Sequence, residues 1–93
     1  MNSLDKVIIV TFRVKGLPVP IKIASQIEPT INQIMKMVSE LAVKNQLEGD
    51  IQFRKFLQEK EQKMYIYDIG NRKCMVLVEK LEKVMEFESE KSE

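Results

Sequence analysis

The chain has 93 residues, 44% hydrophobic and 31% charged, the balance of one globular domain and not of a disordered segment. Fifteen Lys and Arg against fourteen Asp and Glu leave a net charge of +1, too even for the general electrostatic attraction that a nucleic-acid binder relies on. Cys74 is alone, which excludes an intramolecular disulfide framework, and the longest apolar run, Val7 to Val10, is far too short to span a bilayer. The N-terminus lacks the apolar core of a signal peptide, so direct membrane insertion is not expected and a cytoplasmic location is.

Residues 6–14 (KVIIVTFRV) are predicted as a strand rich in β-branched residues. Ile8, Val10, Phe12 and Val14 share one face. Val7, Ile9, Thr11 and Arg13 share the other, which is also apolar near its start, as suits a central strand. Residues 15–18 (KGLP) make a turn, with Gly16 free to take a positive φ. Residues 19–24 return as a second strand with Val19, Ile21 and Ile23 inward. Pro20 cannot donate to a ladder, which places this strand at an edge.

Residues 25–29 lead into an amphipathic helix over 31–44. Thr30 is its N-cap and Gln33 completes a capping box. Ile31, Ile34, Met35, Val38, Leu41 and Ala42 form one stripe with Met37 on its flank, and Asn32, Lys36, Ser39, Glu40 and Lys44 fall opposite. Such a stripe is core, because the sheet otherwise has nothing to cover it. Residues 45–50 close the helix and contain a left-handed cap whose position the sequence leaves open.

Residues 51–57 are predicted as a third strand. Ile51, Phe53, Lys55 and Leu57 share one parity and Phe56 the other, a pattern that a bulge near Lys55 reconciles. The polar run 58–63 reads as a solvated turn, and residues 64–70 as a short element ending in the turn pair Gly70-Asn71. Residues 73–79 make the last strand, with Met75 and Leu77 facing one way and Val76 and Val78 the other. Leu81, Val84 and Met85 suit a short helical turn, and the acidic residues beyond suit a frayed end. The division is a lead at 1–5, one domain over 6–81 and a tail over 82–93. The fold class is α+β: ββαβ, a short element and a final strand, with one helix on a mixed sheet of four to five strands.

That order resembles the β-grasp of ubiquitin-like proteins. The pair Thr30-Ile31 opening the helix, the stretch MYIYDIG over 64–70 and the alternating MVLV over 75–78 carry the resemblance across residues 6–81. The opening DKVIIVTFRVKG over 5–16 is similar to YukD/EsaB-like bacterial proteins, non-conjugated ubiquitin-like factors associated with type VII secretion. The stretch DIGNRKCMVLVE over 68–79 also resembles ubiquitin-like domains of co-chaperones and proteasome adaptors. Both imply non-covalent protein binding with no cofactor. Conjugating members and sulfur carriers end in Gly-Gly. Gly16, Gly49 and Gly70 are all isolated and the chain ends Lys-Ser-Glu93, so neither chemistry is expected.

Catalysis is not expected either. Cys74 is the single candidate nucleophile, and no His is present to hold a thiolate. One Cys without His cannot assemble a zinc site, and the carboxylates lack calcium-loop spacing. The expected functional surface is the outward face of the sheet, formed by Val76 and Val78 beside Arg54 or Lys55, with Leu17 from the first turn. The resemblance places an apolar binding patch there, with Val76 where ubiquitin carries a His. The competing reading sets Val76 and Val78 beneath the segment from Leu81 to Met85.

Overall fold

The computed structural model describes residues 6–82. Its order is β1 (Lys6–Val14), β2 (Ile21–Ser25), α1 (Ile31–Lys44), β3 (Ile51–Glu59), β4 (Gln62–Ile69) and β5 (Arg72–Glu82). The α+β class holds, with a β-grasp-like succession of hairpin, helix and returning strands. The strands form one sheet in the order β2-β1-β5-β4-β3. All four pairings are antiparallel, so the sheet is not the mixed one expected. Each element reverses the direction of the one before it. With α1 counted among six, β5 therefore meets β1 running the opposite way.

Several boundaries move outward from the sequence reading. The polar run 58–63 is mostly strand, because β3 and β4 pair up to Glu59↔Gln62 and only Lys60 and Glu61 turn. The short element of residues 64–70 is thus a full strand, and β5 extends through Leu81, which was expected in a helical turn. Val84 and Met85, and the tail to residue 93, lie outside the described residues. β2 is an edge strand as expected, although it begins only after Pro20.

The helix starts as its residues dictate. The Gln33 amide donates to Thr30 Oγ1 at 3.2 Å, and the Thr30 amide donates back to Gln33 Oε1 at 2.8 Å. It ends in a Schellman arrangement, with the Leu47 N–H on the Ala42 carbonyl at 2.8 Å and the Gln46 N–H on the Val43 carbonyl at 3.1 Å. Gln46 takes the left-handed position at φ 57°, a conformation that favours glycine. Ile34, Val38, Leu41 and Ala42 are buried, and Ile31 at the start of the stripe is half exposed.

These helix residues close over Ile8, Val10, Phe12 and Val14 of β1, Tyr65, Tyr67 and Ile69 of β4, and Cys74, Val76 and Val78 of β5. Cross-strand partners in an antiparallel ladder share a face, which fixes the parity of every strand. Tyr67↔Cys74, Tyr65↔Val76, Val14↔Cys74, Phe12↔Val76 and Val10↔Val78 all point toward α1. Two close contacts lock the upper end, where Gly70 and Asn71 turn the chain. The Gly70 N–H donates to the Asp50 carbonyl at 2.8 Å, and a Cβ on Gly49 would stand 2.3 Å from the Gly70 Cα.

The expected bulge is present: the β3–β4 register shifts between Phe53 and Lys55, leaving Arg54 as the extra residue. The shift brings Phe53 and Phe56 to one face, where they pack on Tyr67 and Tyr65 with ring centroids 5.5 and 5.0 Å apart.

Candidate interaction face of the sheet

With α1 on one side, the opposite face of the sheet is built by the other parity, and its composition follows from the ladders. Reading across the strands from the upper end, the first row holds Lys73, Asp68 and Gln52, and the second Arg13, Met75, Ile66 and Lys55. The third row holds Lys22, Thr11, Leu77, Met64 and Leu57, and the fourth Ala24, Ile9, Glu79, Gln62 and Glu59. Val7 and Leu81 follow as a pair. The middle of this face is apolar. Ile9, Met64, Ile66, Met75 and Leu77 are half-buried by their neighbours, while Leu57 and Leu81 are 45% and 48% exposed. Leu57, Met64 and Leu77 line a cleft of about 220 Å³, rimmed by Glu59 and Gln62.

The charge on this face is separated along the strands. At the upper end, the Arg54 guanidinium lies 3.3 Å from Asp68 and the Lys73 ammonium 3.4 Å from the same carboxylate, and Arg13 and Lys55 stand in the next row. At the lower end Glu79 accepts from Gln62 Nε2 at 3.3 Å, and Glu59 stands beyond it on β3. No cation within salt-bridge distance holds either carboxylate among the described residues. A basic border and an acidic border thus enclose an apolar band.

The residues expected to form this surface divide between the two faces. Arg54 and Lys55 do lie on it, through the bulge. Val76 and Val78 do not: they are 0% and 3% exposed, packed into the core beneath α1, and Met75 and Leu77 face outward in their place. Leu17 packs against the core from the β1–β2 turn. The inversion has a physical cause. Both parities of β5 are apolar at the centre and charged at their ends, Lys73 and Glu79 on one and Arg72 and Lys80 on the other. The strand's own residues therefore do not tell its inner face from its outer one.

Two other places carry chemistry. Cys74 is fully buried, and loss of water pushes its thiol up to about 11, so the neutral thiol prevails at physiological pH. At the lower end of the helix side, Glu28 just before the cap bonds to Lys63 of β4 and lies 3.5 Å from Lys80 of β5. The hydrogen bond from the Lys63 ammonium is the main cause that lowers the Glu28 carboxyl below its ordinary range, and the same bond raises Lys63. This triad ties the loop before α1 to the sheet. No cluster of His, Cys, Asp and Glu suited to a metal occurs among the described residues, and none of their helices is long and apolar enough to cross a membrane.

Some apolar side chains are also exposed on the helix side. Phe53 and Phe56 are each 42% exposed and Ile27 78%. Both rings already pack on tyrosines, Phe53 edge-on to Tyr67 and Phe56 tilted on Tyr65. Comparison of the chain with protein-family models, with curated proteins and with solved structures finds no match.

Proposed function

We propose that the chain is a non-catalytic protein-binding module that works through the outer face of its sheet. The observation that carries this reading is the apolar band of Met64, Ile66, Met75 and Leu77 between basic and acidic borders, continued along β1 by Ile9. An antiparallel sheet usually alternates apolar and polar so that one face is wetted, and here the second face keeps apolar side chains where polar ones would cost nothing. A continuous apolar patch on a soluble domain is the ordinary mark of a surface that another molecule covers. The buried, neutral Cys74 supports binding over catalysis.

The narrower forms of this reading are an accessory factor resembling YukD/EsaB and, as the alternative, an adaptor domain of a co-chaperone or the proteasome. Both rest on the ubiquitin-like resemblance alone, and the antiparallel β1–β5 pairing gives neither any added support. The general proposal is tested with a photo-reactive amino acid placed at Leu77 and, as a control, at the exposed helix residue Val43. Crosslinked protein adducts are expected from position 77 and absent from position 43. Equal yields from the two positions would remove the case for the outer face.

A further inference from the structure

Resting on that reading, the charge layout points to the occupant: we infer that the outer face binds a second copy of this chain, the two sheets stacked face to face and related by a two-fold axis running across the strands. A two-fold contact is self-complementary, so one surface must present both members of every pair. An axis along the strands would set the basic border on the basic border. An axis across them, crossing β5 at the level of Val76, sets the first row over the fourth and the second over the third. Lys73 then stands over Glu79 of the second copy, Asp68 over Gln62, and Gln52, with the Arg54 guanidinium bonded to it, over Glu59, the borders meeting with opposite sign or as donor and acceptor.

The apolar rows meet in the same operation. Met75 lies over Leu77 of the second copy and Ile66 over Met64, so that aliphatic side chains interdigitate across the roughly 10 Å between stacked sheets. The cleft lined by Leu57, Met64 and Leu77 receives a side chain of the second copy's opposite row. Arg54 depends on the bulge for its place. The extra residue in β3 lets its guanidinium reach Asp68 on the outer face while Phe53 and Phe56 both stay on the inner one.

Sedimentation velocity over a concentration series up to roughly 1 mM is the direct test. The expected result is a concentration-dependent rise toward twice the chain mass. Leu77→Lys should hold the chain at the monomer mass with its circular-dichroism spectrum unchanged. Should that variant fail to fold, the borders decide. Lys73→Glu and Glu79→Lys alone should each weaken the dimer by about tenfold, since two symmetry-related contacts turn repulsive, and the double swap should restore it. A wild-type chain that stays monomeric throughout, or a dimer indifferent to both swaps, overturns the inference. A monomer whose position-77 crosslinker captures other proteins but never its own chain would overturn the second copy while leaving the binding face standing.

Discussion

Replacing Val76 and Leu77 one at a time by Ala separates the two faces of β5. Val76 has no exposed surface and faces α1 in the core. Its truncation removes two methyl groups, worth about 0.8 kcal/mol each in lost transfer energy. The space they leave adds a cavity cost near 24 cal/mol per Å³, about 1 kcal/mol for a void of roughly 50 Å³. The sum is about 2.5 kcal/mol, which lowers the midpoint of a domain this size by roughly 10–20 °C. Leu77 sits half-exposed on the outer face, and its truncation should cost about 1 kcal/mol or less. Urea unfolding of both variants, followed by far-UV circular dichroism at one low protein concentration, gives the comparison free of association. The inner placement of Val76 is refuted if Leu77→Ala costs as much as Val76→Ala.

Three further outcomes follow from single contacts. Gln46→Gly should stabilise by about 0.5–1 kcal/mol in the same unfolding assay, because Gln46 holds φ 57° at the end of α1 and glycine accepts that conformation without strain. Tyr67→Phe should be neutral or stabilising by about 1 kcal/mol, since the buried hydroxyl finds no hydrogen-bond partner among the described residues and burial already raises its pKa; a loss above about 1 kcal/mol would reveal a partner. Glu28, lowered by the Lys63 hydrogen bond, contributes stability that is present above its ordinary value of 4.5 and lost as pH falls through the lowered folded value. Stability of Glu28→Gln should therefore vary less with pH on the acid side than that of the wild type, and equal slopes would show that the bond is not formed in solution.

The start of the helix and most of its buried stripe were legible in the sequence. Thr30 and Gln33 cap it, its stripe is the buried one, and only Gln46, an unusual residue for a left-handed cap, left its end open. The bulge was legible because Phe56 broke the parity of Ile51 and Phe53. The antiparallel pairing of β1 with β5 was hidden, since it depends on a count of reversals and not on any one residue. The length of β3 and β4 was hidden too. Polar residues from Gln58 to Lys63 look like a loop, yet only Lys60 and Glu61 turn and the others are the paired ends of two strands.

The parity of β5 is the instructive failure, because its cause is the same feature that carries the functional proposal. Alternation reveals a strand's inner face only when the outer one is polar. In Met75-Val76-Leu77-Val78 both faces are apolar, so the central residues say nothing about direction, and the flanking charges, Lys73 and Glu79 on one parity and Arg72 and Lys80 on the other, do not decide it. β1 behaves alike: Ile8, Val10 and Phe12 alternate with Val7, Ile9 and a buried Thr11. Two adjacent central strands are thus apolar on both sides, but α1 covers only one side. In a sheet with helices on both faces such sequences are ordinary, because both faces are buried within one chain. Here the amino acids prepare two faces for burial and the described fold buries one. The ambiguity in the sequence and the open apolar band in the structure are one fact, and it is the reason to look for the missing cover in another protein molecule.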